Sequence, residues 1–230
     1  RLPCTQEVIG STPIFSTKEK GMKILIIGTA RSGTTSLTKG LFESLGESYS
    51  VHREPYNKST RTYWGKTYLY PYVWEDNSIV KMLVDQVPSQ DSYPPRTTGF
   101  WFNGNHEEYF KEVSEQFDRV ILLKRKNYND TLISYCHAMN ETASKGKYRW
   151  HSSYKLDKEV DTTPAGRYIE RAYEMLDEVQ KATRIPFTYY EDIYSGDKSK
   201  VDLFIRDNSL PIDNNILHKW LDPRDRYRQN

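Results

Sequence analysis

The sequence predicts an α/β fold in three layers, with a central parallel sheet flanked by helices. Three observations carry this: short apolar runs that read as buried strands, stretches of helical period between them, and a glycine-containing turn directly after the first run. The chain has 230 residues, 37% hydrophobic and 28% charged, enough for a globular domain with a sizeable core. A net charge of +2 supplies no field for nucleic acid, so any anionic ligand must be held by a local cluster of cations.

The first strand is Lys23-Ile24-Leu25-Ile26-Ile27-Gly28. Thr34 to Leu45 follows as a helix, with Leu37, Leu41 and Leu45 along one face and Gly46 as its stop. Ser78 to Val84 is a second apolar strand with Lys81 inside it, and Gln86 to Gly104 reads as a long loop. A helix is expected from His106 to Phe117, a strand from Arg119 to Lys124, and a helix from Asn129 to Asn140. Glu141 to Asp161 has no period and is expected to be an irregular, lid-like segment. Thr163 and Pro164 read as an N-cap and first helical residue, opening a helix whose inward stripe is Ile169, Ala172, Tyr173, Leu176 and Val179. Ile185 to Tyr190 is a fourth core strand and Lys198 to Asp207 a short helix. With no internal repeat or linker, residues 22–230 are expected to form a single domain behind an N-terminal extension, 1–21.

The strongest chemical signal is Gly28-Thr29-Ala30-Arg31-Ser32-Gly33-Thr34-Thr35, between a strand and a helix. Small residues let such a turn point consecutive N–H groups at one anion, and the helix N-terminus adds partial positive charge. The hydroxyls of Ser32, Thr34 and Thr35 can donate to phosphate oxygens, and Arg31 can bind them with its planar fork. The turn makes the expected fold P-loop-like. The nucleotide-kinase loop, however, reads G-x-x-x-x-G-K-S/T, and here Thr34 stands where its Lys belongs.

Arg31-Ser32-Gly33-Thr34-Thr35-Ser36-Leu37 resembles the 5′-phosphosulfate loop of sulfotransferases that use 3′-phosphoadenosine-5′-phosphosulfate (PAPS). The Arg form is closer to the bacterial and carbohydrate-type branches than to the cytosolic one. That resemblance assigns Arg31, Ser32, Gly33, Thr34, Thr35 and Ser36 to PAPS. A second stretch, from Leu123-Lys124-Arg125-Lys126 to Ser134, resembles the family's site for the 3′-phosphate, built from a strand-end Arg and a helical Ser. The family spacing is eight; Lys126 lies eight residues before Ser134 and Arg125 nine, so either cation can fill the role, and bidentate binding favours Arg125. Tyr189-Tyr190-Glu191-Asp192-Ile193 resembles a strand-end motif of many sulfotransferases, and its acids are read as structural.

Sulfuryl transfer needs in-line geometry, stabilisation of developing charge and a base. The cytosolic branch takes its base from a K-T-H triplet; here the triplet is Lys81-Met82-Leu83, without a His. His52-Arg53-Glu54-Pro55 resembles a segment of the other branches whose Glu is the base, which implies Glu54 as base, with His52 the rival. Arg31 and Lys81 would stabilise the sulfonate and the leaving phosphate, since a Lys inside a buried strand is costly unless it meets an anion. His106, His151 and His218 read as surface or acceptor-site residues without a role.

The resemblance implies PAPS as donor, 3′-phosphoadenosine-5′-phosphate (PAP) as product, and no metal. The acceptor expected is a carbohydrate or small molecule with a hydroxyl or amine. Its pocket would come from 57–75, 86–104 and 141–161, where Trp74 is one of many aromatic residues able either to stack on a ligand or to cover the core. A nucleotide kinase, with Asp85 holding magnesium, and a non-catalytic phosphoadenosine-binding protein are the alternatives. Cys4 and Cys136 give neither a disulfide framework nor metal-ligand spacing. No run approaches the roughly 18–20 apolar residues that span a bilayer, and no signal-peptide pattern is present. The expected location is the cytoplasm, the alternative a lumenal fragment of a membrane-anchored enzyme. Because the chain does not begin with Met, either an upstream segment has been removed or Met22 is the natural start.

Overall fold

A computed structural model describes residues 21–55, 73–86, 105–145, 161–163 and 165–223. The elements in chain order are β1 (Lys23–Gly28), α1 (Thr34–Leu45), β2 (Ser50–Arg53) and β3 (Ser78–Leu83), the last running into a 3-10 turn at Val84–Gln86. Then come α2 (His106–Ser114), β4 (Arg119–Lys124), α3 (Tyr128–Lys145), α4 (Gly166–Thr183) and β5 (Phe187–Tyr189). Three helices close the described chain: α5 (Tyr190–Ile193), α6 (Lys198–Asp207) and α7 (Asn214–Leu221). The five strands form one sheet in the order β2-β3-β1-β4-β5, and every pairing is parallel.

Alternation along the strands sorts the core into two layers. Leu25, Ile27, Val80 and Met82 face Tyr109, Phe110 and Val113 of α2 and Met175, Leu176 and Val179 of α4. Ile24, Ile26, Ile79, Ile121 and Leu123 face Leu37 and Leu41 of α1, with α6 and α7 packed beyond them. β1 sits centrally because it offers apolar side chains to both layers; full burial of such a side chain is worth about 1.5–3 kcal/mol. Gly40 of α1 lets α7 approach, since a Cβ there would lie 2.9 Å from Leu217 and Trp220 side-chain atoms. No helix among the described residues is long and apolar enough to cross a membrane.

Several element bounds differ from the sequence reading. The helix assigned to Thr163–Pro164 starts at Gly166, because the Thr162 carbonyl accepts from both Ala165 N–H (3.2 Å) and Gly166 N–H (3.1 Å), inserting a turn first. The helix expected to end at Asn140 continues to Lys145, so 141–145 is not irregular; 146–160 lies outside the described residues. α2 stops at Ser114, short of Phe117, and Tyr190 leaves the last strand to open α5. β2 and α7 were not expected.

From β1 the chain crosses to β2 at one edge of the sheet, takes up β3 between β2 and β1, then passes to β4 and β5 on the other side of β1, so the strand order switches direction beside β1. Such a switch point leaves a crevice outside the carboxyl ends of the strands. The residues that the sequence singled out follow the carboxyl ends of β1, β2 and β4 or point from within β3.

Candidate functional site

The turn after β1 is held open by two backbone conformations and two glycines. Arg31 has φ 66° and Gly33 φ 91°, both left-handed. Ser32 ties the turn down, its Oγ donating to the Thr29 carbonyl at 2.7 Å and its N–H to the same oxygen at 3.3 Å. Gly28 admits no side chain, since a Cβ would stand 2.8 Å from the Leu123 carbonyl and from Ser32 Oγ. At Gly33 a Cβ would stand 2.8 Å from both the Tyr190 and Tyr194 rings, and Tyr194 donates its hydroxyl to the Gly33 carbonyl at 2.7 Å. Thr34, in the place of the kinase lysine, is buried, and Ser36 is half-buried in the first turn of α1.

From this turn the Arg31 Nε donates to Ser134 Oγ at 3.0 Å. The contact joins the two stretches that sequence reading had assigned to separate phosphates, 103 positions apart. Ser134 is buried on α3, one turn beyond Asp130.

Lys81 lies on β3 opposite Ile26, so its side chain belongs to the α1 face. Its Nζ donates to Thr35 Oγ1 at 3.0 Å and to Glu54 Oε1 at 2.5 Å, with Lys81 4% and Glu54 14% exposed at the side chain. The anion that this buried lysine meets is therefore Glu54. Glu54 itself has φ 50°, and its N–H is held by the Lys81 carbonyl at 2.7 Å. That left-handed residue ends β2 and brings the carboxylate back to Lys81.

His52 points the other way. Its register partner is Val80, on the opposite face, and its ring meets the buried Trp74 edge-on at 5.3 Å while Nε2 lies 3.1 Å from Ser50 Oγ. Trp74, 2% exposed, covers the core and not a ligand surface.

At the end of β4 the two candidate cations have different surroundings. Lys126 is half-exposed; its Nζ pairs with Asp192 at 2.8 Å and its N–H donates to Glu191 Oε2 at 2.9 Å. The Asp192 hydrogen bond and charge raise the Lys126 pKa. Those acids thus hold a basic strand end in place, as their structural reading required. The Arg125 guanidinium lies 4.0 Å from the Tyr190 ring centroid, and its Nε is buried without a hydrogen-bond partner among the described residues. Beneath it, Tyr173 shares a 2.7 Å hydrogen bond with Thr131, and burial pushes its phenol up to about 12.

Other expectations change with the structure. His106 is buried, not superficial, and pairs with Glu178 at 2.7 Å; His218 pairs with Asp202 at 2.9 Å. Asp85, the magnesium candidate of a kinase, is buried and accepts from the Tyr168 hydroxyl at 2.5 Å. His151, 57–72, 87–104 and the C-terminal 224–230 lie outside the described residues. Sequence reading missed Tyr190 and Tyr194, which fix the turn; their spacing of four was the available signal.

Comparison with family models, curated proteins and solved structures finds no match to this chain. The fold, a parallel α/β sheet of order 2-3-1-4-5 with flanking helices, is compatible with nucleotide-binding enzymes and with P-loop-like transferases.

Proposed function

We propose that the chain is a PAPS-dependent sulfotransferase acting on a hydroxyl of a carbohydrate or small molecule. One observation carries the reading: Arg31 of the turn and Ser134 of α3, each expected from its own motif to hold a phosphate of the same nucleotide, are 3.0 Å apart. Further support comes from Arg125, whose buried Nε lacks a hydrogen bond among the described residues, as a residue awaiting an anion would. In this reading the 5′-phosphosulfate lies on the turn from Gly28 to Thr35, and Arg125 and Ser134 hold the 3′-phosphate.

Glu54 is then the base and Lys81 its positioning partner. The acceptor hydroxyl gives its proton to Glu54 as its oxygen bonds to sulfur, and the sulfur–oxygen bond to the 5′-phosphate breaks. Charge appearing on that leaving oxygen is met by Arg31, the turn's N–H groups and Lys81. No residue is assigned to a metal. Because His52 faces the opposite side of the sheet, Glu54 is the better candidate of the two.

Calorimetric titration tests the reading. PAP should bind the chain and bind the Arg31→Ala variant at least about tenfold more weakly, the value of one charge-assisted hydrogen bond. ATP with magnesium should not compete. Binding of ATP in preference to PAP, or of neither, would sink the proposal.

A further inference from the structure

We infer that Tyr173 is a positioning residue that sets the site's preference for a nucleotide carrying a 3′-phosphate. Its hydroxyl joins the strand end that bears Arg125 to the helix that bears Ser134. This rests on the sulfotransferase reading and adds a specificity-determining residue to it.

The two groups assigned to the 3′-phosphate stand on separate elements, Arg125 just after β4 and Ser134 in α3. One phosphate can be held by both only if the two elements keep a fixed separation. Tyr173 reaches them from a third element, α4. Its Oη lies 2.7 Å from Thr131 Oγ1 and donates to the Arg125 carbonyl at 3.4 Å. Thr131 is fully buried and stands three residues before Ser134, on the same side of α3.

A phenol has one hydrogen, so a Tyr173 that donates to Arg125 is the acceptor from Thr131. The chain of bonds therefore runs one way, from the Thr131 hydroxyl through the Tyr173 hydroxyl to the Arg125 carbonyl. Burial, which pushes the phenol up to about 12, keeps that hydrogen in place at neutral pH. The peptide between Arg125 and Lys126 is thus held on both sides, its carbonyl by Tyr173 and its N–H by Glu191 at 2.9 Å.

The Tyr173 ring is itself well fixed. Tyr128 meets it edge-on at 5.4 Å, and the Lys124 ammonium lies 5.2 Å from its centroid while pairing with Asp177, one turn further along α4. The Arg125 guanidinium rests against the Tyr190 ring at 4.0 Å, but where its side chain starts from is set by the backbone that Tyr173 holds. Binding groups must be kept within about 0.5 Å of the productive geometry, and this chain of bonds links the two that share the phosphate. The turn for the 5′-phosphate is tied separately, by Ser32 to the Thr29 carbonyl and by Tyr194 to the Gly33 carbonyl. Loss of the Tyr173 hydroxyl should therefore be felt at the 3′-phosphate and not at the 5′-phosphate.

Calorimetric titration with PAP and with adenosine 5′-phosphate (AMP), which lacks the 3′-phosphate, tests this on the chain and on Tyr173→Phe, Thr131→Val and Thr131→Ser. PAP should bind Tyr173→Phe about three- to tenfold more weakly, the value of one hydrogen bond, with AMP affinity unchanged. Thr131→Val should show the same selective loss, and Thr131→Ser, which keeps the hydroxyl, should retain most of the PAP affinity. Tyr173→Phe combined with Thr131→Val should lose no more than Tyr173→Phe alone, because both break one chain of bonds. Equal weakening of PAP and AMP would reduce Tyr173 to general packing and overturn the inference, and so would unchanged PAP affinity in Tyr173→Phe. If Tyr173→Phe does not fold, the PAP-to-AMP ratio in Thr131→Val decides in the same way. Failure of PAP to bind the unaltered chain would instead remove the sulfotransferase reading, and this inference with it.

Discussion

Replacing Lys81 by Met should cost more stability than replacing Glu54 by Gln, although both remove the same 2.5 Å ion pair. The asymmetry follows from what each change leaves behind. Losing one member of a fully buried pair costs about 3–5 kcal/mol, because the survivor is an unpaired charge. Lys81→Met leaves the Glu54 carboxylate, 14% exposed and so in touch with some water, which brings the expected cost to about 2–3 kcal/mol. Glu54→Gln leaves the ammonium facing an amide oxygen, and Thr35 Oγ1 still accepts from it at 3.0 Å, so about 1–2 kcal/mol is expected. In the double variant Lys81→Met/Glu54→Gln neither charge remains, and the two changes should couple by about 1–3 kcal/mol. Urea unfolding at neutral pH, with equal slopes across the set, measures each value. Additivity within about 0.5 kcal/mol, or a Glu54→Gln variant less stable than Lys81→Met, would refute the buried pair as the organiser of this part of the site.

Gly33→Ala should destabilise the chain by about 1–2 kcal/mol for the left-handed backbone alone, and abolish PAP binding by pushing Tyr190 and Tyr194 off the turn; thermal melts and titration read the two effects. Arg125→Ala should weaken PAP about 10- to 150-fold and Lys126→Ala less than about threefold, because Lys126 is already engaged with Asp192; a reversed ranking in titration would move the 3′-phosphate to Lys126. Tyr173, its phenol raised to about 12 from 10.0, favours folding in its protonated form. Its contribution is complete below pH 10 and is lost as pH rises from 10 through 12, so the late-titrating phenolate absorbance should fall by one tyrosine in Tyr173→Phe.

What the sequence disclosed depended on how local the signal was. β1, α1 and β4 are short uniform patterns between clear stops, and their bounds match the structure. β2 was hidden because Ser50-Val51-His52-Arg53 has neither an apolar run nor simple alternation; its faces are set by register against β3, a long-range fact. α7 could have been found, since Asp213 caps it by accepting from Asn215 N–H and Leu217 and Leu221 repeat at helical spacing. For the site, the turn and its glycines were legible because backbone geometry demands them. The choice between Arg125 and Lys126 was not, because it turns on Asp192 and Tyr190 from a distant part of the chain. Likewise His52 and Glu54 are two residues apart in sequence, and only the sheet shows that they serve opposite faces.

The most direct test of the central claim is a crystal structure of the chain with PAP. The 5′-phosphate should lie on the turn from Gly28 to Thr35 and the 3′-phosphate between Arg125 and Ser134, with the Glu54–Lys81 pair facing the 5′ end. A nucleotide bound in the reverse orientation, or bound away from the carboxyl ends of β1 and β4, would contradict it.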